Sequence, residues 1–151
     1  MHRLYENEDL VVFWNSEKCF HAKKCVTGSP ETFNINRKPW INLERVDNKE
    51  VWQAIEKCPS GALGCLYRHN IDVKFDSENC RSVAFDVDKQ VGECDYEVSK
   101  DGWNIYHTEV LPEYEGKGIA KRLVYKLLEE SEKNKVGLMA TCSYARKVIE
   151  E

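Results

Sequence analysis

The sequence lacks the long apolar run and the surplus of basic residues that would assign it to two large classes of protein. No apolar stretch approaches the roughly 18 residues that span a bilayer. The first nine residues carry acids, where a signal peptide needs a basic start. Lys and Arg number 22 against 26 Asp and Glu, giving a net charge of −4 and no cationic excess for nucleic-acid phosphates. We therefore expect a cytoplasmic protein that binds neither membranes nor nucleic acid.

The chain also lacks internal repeats, low-complexity segments and a Pro-, Gly- or Ser-rich linker. Its 151 residues are 42% hydrophobic and 11% aromatic, which is enough for a folded core. Charge divides the chain near residue 70: residues 1–70 carry a net +1 and residues 71–151 a net −5. We expect two small domains, residues 1–70 and 71–151, joined without a flexible linker.

The first half predicts a strand, a cysteine loop, a second strand and a helix. Residues 10–14 are β-branched and aromatic, which favours a strand, and residues 40–43 form a weaker one. Asp47 or Asn48 is suited to cap a helix, whose apolar residues recur at helical spacing until the Cys58-Pro59 turn ends it.

The second half predicts an antiparallel meander covered by one long helix. Apolar and polar residues alternate at residues 71–75, and strands are also indicated at residues 82–87, 91–98 and 103–111, with hairpin turns at residues 89–90 and 100–102. After Gly116, apolar residues recur in i, i+4 rows as far as about Asn134. A short strand at 136–140 and a terminal helix at 144–149 complete an α+β pattern.

The seven cysteines are unevenly placed and odd in number, so a disulfide framework is a poor explanation for them. Cys19 and Cys25 share one loop, and Cys58 follows the predicted helix. Clustered soft ligands suit iron–sulfur or zinc. The other interpretations are buried structural thiols and a zinc site of three cysteines and one histidine.

These segments resemble the divergent branch of the small single-cluster ferredoxins. The shared motifs are C-F-H-A-K-K-C at 19–25, P-W-I at 39–41 and C-P-S-G-A-L at 58–63. The resemblance implies a ferredoxin-like domain in which Cys19, Cys25 and Cys58 ligate an iron–sulfur cluster. Ala22 replaces the usual middle cysteine, which suits a three-iron (3Fe-4S) cluster, whereas ligation by His21 would complete a four-iron (4Fe-4S) one. Cys65 also lies near enough in sequence to be considered.

A second group of residues lies between the last long strand and the long helix. The segment E-G-K-G-I-A at 115–120 places two glycines where a helix begins, so free backbone N–H groups are available for a phosphate. The helix is basic early, with Lys117, Lys121 and Arg122, and acidic late, with Glu129, Glu130 and Glu132. This order opposes the helix dipole unless an anion binds at the start. The alternative is a tight turn with solvated lysines.

From about residue 79 the chain resembles the GNAT superfamily of acetyl-CoA-dependent N-acetyltransferases, in a short-form branch. The shared pattern is H-T-x-V-x-P at 107–112 followed by G-x-G-I-A at 116–120. The resemblance implies a minimal GNAT-like domain with acetyl-CoA as co-substrate. Its pyrophosphate would bind the amides of Gly116, Lys117, Gly118, Ile119 and Ala120, and its pantetheine would lie beside Thr108 to Val110. Glu115 stands where the family has Gln or Arg.

Acetyl transfer needs a base for the amine, a donor for the oxyanion and an acid for the leaving thiolate. Strand alternation is expected to put Ile105, His107 and Glu109 on one face, which makes His107 and Glu109 candidate bases. Cys142 belongs to a C-x-Y segment that also resembles the short-form branch, and we consider it as a nucleophile or a pocket wall, with Tyr144 as the acid. Cys80 and Cys94 are interpreted as ordinary core or surface thiols.

The sequence thus favours an iron–sulfur-containing N-acetyltransferase that acts on a small-molecule or protein amine. The alternative is an electron-transfer or redox-sensing protein whose GNAT-like half only binds a coenzyme or a partner.

Overall fold

The computed structural model describes residues 1–150, and its backbone divides between Arg68 and His69 into two units. The first unit comprises Met1–Arg68 and the second begins at His69. Within residues 1–150, no helix combines the length and apolar character needed to cross a bilayer.

The first unit is built on a three-stranded antiparallel sheet with two short helices. Its central strand is buried along its whole length and carries the apolar residues predicted for residues 10–14. The helix predicted after Asp47 is confirmed, and Asp47 caps it by accepting a hydrogen bond from Lys49 N at 3.0 Å. In chain order the elements are β1 (His2–Glu6), β2 (Leu10–Asn15), α1 (Lys24–Gly28), α2 (Asn48–Glu56) and β3 (Leu63–Tyr67).

The weak strand predicted at residues 40–43 is wrong, since this segment makes one isolated bridge, from Ile41 to Phe33. The guanidinium of Arg37 explains the difference. Its Nη2 donates to the carbonyls of Thr32 and Trp40 at 2.8 and 3.2 Å, so the loop satisfies its backbone locally instead of in a sheet.

The second unit is an α+β domain, as predicted, with a five-stranded sheet and one long helix. The first four strands form an antiparallel meander, and the last pairs in parallel with the fourth. The elements are β4 (Ile71–Asp76), β5 (Arg81–Asp86), β6 (Lys89–Ser99), β7 (Gly102–Val110), α3 (Ile119–Lys133), β8 (Leu138–Ala140) and α4 (Ser143–Glu150). The hairpin turn predicted at residues 89–90 is wrong: Lys89 pairs with Asp86, so Val87 and Asp88 make the turn.

The long helix α3 packs its apolar stripe on one face of this sheet. Leu123 and Leu127 are fully buried, and Ser82 Oγ donates to Leu123 O at 2.9 Å. A Cβ at Gly92 would lie 3.0 Å from Glu109 O and 3.2 Å from Leu123 Cδ1, so glycine permits this close approach. Three stacked rings close the far end of the sheet: Phe75, Tyr96 and Trp103.

Arg122 is buried in the first turns of α3, with 1% of its surface exposed. Its Nη2 donates to Ile71 O at 2.8 Å, which ties the helix to β4. A buried carbonyl that loses a charged donor is left unsatisfied, and truncation of the side chain also leaves a cavity.

We therefore expect Arg122→Ala to lower the free energy of unfolding of the second unit by about 3 kcal/mol. Hydrogen exchange of α3 peptides in increasing urea measures this unit separately from the first. The control is Lys133→Ala, which removes the ion pairs of a half-exposed lysine to Glu129 and Glu130. Lys126 still pairs with both glutamates, so this change is expected to cost less than about 1 kcal/mol. Equal exchange in the two variants would contradict the role of Arg122.

Candidate functional site

Three of the cysteines predicted as ligands converge in the first unit. Cys19 follows the strand β2, Cys25 lies in the first turn of α1, and Cys58 follows α2. Burial raises the pKa of the Cys25 thiol, the Val26 N–H lowers it, and the nearby Cys58 and Cys19 thiolates raise it again. The fold therefore brings these three thiols into one region, where their negative charges repel each other.

The Cys58 thiol is surrounded by hydrogen-bond donors from the turn that follows it. Partial burial raises its pKa. The Ser60 hydroxyl and the backbone N–H groups of Leu63, Ser60 and Ala62 together lower the pKa by more than burial raises it, so the pKa lies below its ordinary value. The Ser60 Oγ lies 3.5 Å from Cys58 Sγ. Amide donors of this kind stabilise a metal-bound thiolate.

His21 lines the same cavity as Cys19 and Cys25, which has a volume of about 120 Å³. The backbone at His21 and Lys23 is left-handed, with φ of 60° and 61°. Lys23 also lines this cavity, and the remaining walls are apolar and consist of Trp14, Val26, Ile35 and Trp40. The loop thus places an imidazole beside two of the three thiols.

Cys65 lies in β3 opposite Val12, packed against the hydrophobic core. Burial raises its pKa to about 12, so it is held as a neutral thiol. Within residues 1–150, no three Cys, His, Asp or Glu side chains are already arranged as the ligands of a single metal ion. The donor set of Cys19, Cys25 and Cys58, with amide hydrogen bonds to sulfur, fits the chemistry of an iron–sulfur cluster.

In the second unit, the glycine turn lies at the start of α3. A short 3₁₀ turn, Pro112–Tyr114, follows β7 and is fixed by the Tyr114 hydroxyl, which donates to Asp86 Oδ2 at 2.6 Å. Gly116 and Gly118 then adopt left-handed backbone, with φ of 80° and 75°. Gly118 is the N-cap of α3 and has no side chain that could cap the first N–H groups.

The basic residues near this turn do not all face it. The Lys121 Nζ lies 5.8 Å from the Tyr125 ring centroid, and Arg122 is buried against Ile71 O. Arg122, counted from the sequence among the basic residues early in the helix, therefore does not face an anion at the helix start. Lys117 and Lys121 remain as candidate cations at the helix start.

β7 and β8 stop pairing after Ile105. Their pairing covers Trp103 to Ile105, and Ile105 O then accepts hydrogen bonds from the amides of Thr141 and Cys142 at 3.0 and 3.1 Å. On its other side β7 stays paired with β6 as far as Val110. The amides of Thr108 and Val110 alternate away from β6 and therefore line the edge that opens between the two strands.

A register shift between β6 and β7 changes which side chains share a face. Asp95 pairs with His107 but Tyr96 pairs with Ile105, so Tyr106 is an extra residue in β7. Ile105 consequently lies on the same face as Thr108. The expectation that Ile105 shares a face with His107 and Glu109 is wrong for Ile105.

His107 and Glu109 lie together on the exposed face, with Nε2 and Oε2 3.4 Å apart. Across the strand pair, burial and the neighbouring Glu93 raise the pKa of Asp95 to about 6, while His107 and Arg81 lower it. Sequence analysis did not single out Asp95. The hairpin turn at 100–102 gives an approximate pairing, but the bulge that brings Asp95 opposite His107 leaves no signal in the sequence.

Cys142 lies on the other face of β7, just before α4, with its Sγ 3.6 Å from Thr108 Oγ1. Partial burial raises its pKa, but the Ala145 N–H, the Thr108 hydroxyl and the N–H groups of Tyr144 and Thr108 lower it to below its ordinary value. Tyr144 therefore reaches the thiol through its backbone. Cys94, given no role from the sequence, also contacts the Thr108 hydroxyl, at 3.5 Å.

Comparison with known proteins finds one family for each unit. Residues 5–68 match the family of divergent 4Fe-4S mono-cluster domains, and residues 82–151 match the GCN5-related N-acetyltransferase family. The uncharacterized protein YjdI of Escherichia coli K12 is 44% identical over 68 residues, which are 45% of this chain and 87% of YjdI. YjdI of E. coli O157:H7 gives the same values.

Two solved structures are similar to part of the chain. A GCN5-like protein from Staphylococcus aureus is 28% identical, with coverage of 54% of this chain and 79% of that one and a TM-score of 0.43. A ribosomal-protein-alanine N-acetyltransferase from Brucella melitensis biovar Abortus 2308 is 22% identical, with coverage of 46% and 60% and a TM-score of 0.40.

Both resemblances read from the sequence are confirmed by the family matches. The chain belongs to the divergent 4Fe-4S mono-cluster family through residues 5–68, and its residues 82–151 match the model of the GCN5-related N-acetyltransferase family.

Proposed function

We propose that the second unit transfers an acetyl group from acetyl-CoA to an amine, and that the first unit holds an iron–sulfur cluster. The observation that carries the acetyl-CoA proposal is the open edge of β7, which leads along the chain to the glycine turn and the start of α3. An extended, amide-rich ligand with an anionic end matches these two features in the same order.

In this proposal the pyrophosphate accepts hydrogen bonds from the amides of residues 116–120, at the positive end of the α3 dipole. The left-handed Gly116 and Gly118 let the backbone approach it closely. The pantetheine lies along the open edge beside Thr108 and Val110, with its thioester near the point where β7 and β8 separate.

The transfer itself needs one proton removed and one supplied. The amine nitrogen attacks the thioester carbonyl carbon, the carbon–sulfur bond breaks, and the electron pair leaves on the coenzyme A sulfur. His107, held by Glu109 at 3.4 Å, accepts the amine proton, and Tyr144 supplies a proton to the sulfur. Cys142 is a wall of this site or its nucleophile.

The acceptor is a small-molecule or protein amine. The unit has one long helix and one short terminal helix beside its sheet, which leaves little chain to build a closed acceptor pocket. An exposed amine, such as a protein lysine, suits such an open site.

For the first unit, we propose Cys19, Cys25 and Cys58 as cluster ligands and His21 as the fourth. The support is the convergence of the three thiols and the position of His21 in the cavity with Cys19 and Cys25. A bound cluster supplies one-electron redox chemistry or a structural cross-link. The Ser60 hydroxyl and the amides after Cys58 stabilise that ligand as a thiolate.

We expect anaerobically prepared protein to contain iron and acid-labile sulfide, and Cys19→Ser, Cys25→Ser and Cys58→Ser each to lose most of both. Sulfur is the preferred ligand of such clusters, and its replacement by a hydroxyl weakens binding. The matched control is Cys80→Ser in the second unit. Colourless protein with tightly bound zinc, or protein with neither metal, would contradict the cluster.

His21→Ala tests the fourth ligand. If His21 binds the fourth iron, the variant retains a three-iron cluster, which is paramagnetic when oxidised, whereas the wild type holds a diamagnetic four-iron cluster. Electron paramagnetic resonance and the ratio of iron to protein measure the difference. Identical spectra for wild type and His21→Ala would rule out ligation by His21, and Cys65→Ala repeats the test for the buried thiol.

Calorimetric titration is expected to show acetyl-CoA binding that is lost in Gly118→Glu. The new side chain would be forced into left-handed backbone and would put a carboxylate at the pyrophosphate position. No binding by wild-type protein would contradict the enzyme proposal. If iron and sulfide were still present, an electron-transfer or redox-sensing role for the chain would then be favoured.

Glu115→Gln is expected to tighten acetyl-CoA binding several-fold at low salt, because it removes a negative charge beside the proposed pyrophosphate site. The control Glu113→Gln removes the same charge two residues earlier, within the 3₁₀ turn. If both substitutions strengthen binding equally, the effect is one of net charge and the position of Glu115 is not specific.

A further inference from the structure

The loop beside the cavity of Cys19 and Cys25 exposes large apolar side chains. All five residues 20–24 are exposed. Phe20 has 62% of its surface exposed, and Ile35, which lines the cavity, has 67% exposed. Neither side chain is buried in the core of the first unit, so both are available to a partner next to the proposed cluster ligands.

Three exposed lysines belong to the same region. Lys18 immediately precedes Cys19, Lys23 lines the cavity, and Lys24 begins α1 immediately before Cys25. Within residues 1–150, none of these three lysines forms an ion pair. Their charges are therefore not neutralised by acids of the fold.

This positive charge is concentrated in one segment of an acidic protein. Residues 16–40 contain five basic residues and two acids, a net +3, whereas the whole chain carries −4, so the other residues carry a net −7. A local charge opposite in sign to the rest of the surface orients an approaching charged molecule towards it. The segment that carries the thiols Cys19 and Cys25 is thus the part of the chain that attracts acidic molecules.

We propose that Lys18, Phe20, Lys23, Lys24 and Ile35 form a docking face for an acidic one-electron carrier protein, which exchanges electrons with the iron–sulfur cluster. In the exchange, one electron passes between the cluster and the redox centre of the partner, and no covalent bond forms or breaks. The inference rests on the cluster proposed for the first unit and is independent of acetyl transfer.

The composition of the docking face favours a protein over a small anion. Apolar side chains with charged residues beside them are the usual composition of a protein interface. A small anion would use the lysines and would gain nothing from Phe20 or Ile35. Two apolar side chains also bury little surface, which suits the interfaces below about 1,200 Å² that are typical of transient electron-transfer complexes.

Two haem proteins of opposite charge serve as probes: oxidised cytochrome b5, which is acidic, and oxidised cytochrome c, which is basic. The full chain is reduced with dithionite, freed of excess reductant anaerobically and mixed with each probe. The reduced cluster gives one electron to the ferric haem, which becomes ferrous, and the haem absorption gives a second-order rate constant. The readout is the ratio of the rate constant with cytochrome b5 to that with cytochrome c.

We expect this ratio to fall as salt is added, because salt screens the lysines. Lys24→Glu should lower the ratio about fivefold at low salt, since the new carboxylate repels the acidic probe and attracts the basic one. A changed potential of the cluster would move both rate constants in the same direction, so the ratio separates docking from redox effects. The matched control is Lys49→Glu, which makes the same charge change at an exposed position of α2, outside the docking face.

Phe20→Ser tests the apolar part of the docking face. We expect it to slow electron transfer to cytochrome b5 about twofold or more, because apolar contact area is lost. Electron transfer to hexacyanoferrate(III), a small anion, should keep its wild-type rate constant. Visible absorption of the cluster confirms that each variant is equally loaded, and Lys18→Glu replaces Lys24→Glu if the latter loses the cluster.

A ratio that does not change with salt, or that falls equally in Lys24→Glu and Lys49→Glu, overturns the docking face. If Phe20→Ser slows both acceptors equally or neither, the face attracts anions without docking a protein, which also overturns the proposal. Protein without visible absorption contradicts the cluster itself, and this inference fails with it. A fully loaded cluster without the expected selectivity overturns this inference alone, so the two failures are distinguishable.

Discussion

The separation of β7 from β8 after Ile105 is the constraint on which the second unit depends. One carbonyl, Ile105 O, accepts both the Thr141 and the Cys142 amides, and this shared acceptor ends the parallel pairing. The chain then turns into α4 instead of extending the sheet. The edge of β7 beyond Ile105 is left without a partner strand, and the N–H groups of Thr108 and of the new helix point at Cys142. The open strand edge and the position of Cys142 thus have the same structural origin.

The first unit brings three ionisable thiols close together. The thiols of Cys19, Cys25 and Cys58 repel one another as they ionise, and because they pack partly buried on a hydrophobic core, solvent screens this repulsion only in part. The hydroxyl and amides around Cys58 stabilise one of the three charges. A polynuclear iron core bound to all three sulfurs would balance the remaining charge.

Elements with strong apolar periodicity could be predicted from the sequence, whereas features that depend on individual contacts between distant residues could not. The helix after Gly116 and the meander follow from apolar spacing, and both are found. β3 was not predicted because it is short and contains Gly64, and glycine is a weak strand former. The bulge at Tyr106 and the burial of Arg122 depend on partners distant in sequence. The convergence of Cys19, Cys25 and Cys58 was foreseen from motifs, whereas the contact of Cys94 with Thr108 needed the register.

The distribution of tryptophan between the units has a spectroscopic consequence. Trp14 and Trp40 lie in edge-to-face contact with ring centroids 4.8 Å apart, on the walls of the cavity that holds Cys19 and Cys25. Trp52 is also in the first unit, whereas Trp103 is the one tryptophan after residue 68 and is stacked on Tyr96 with centroids 4.3 Å apart. A visible-absorbing chromophore at the thiols would quench the first group by energy transfer. The loss of Trp14 and Trp40 emission and the visible absorption band would then report occupancy of the same cavity by two different optical signals.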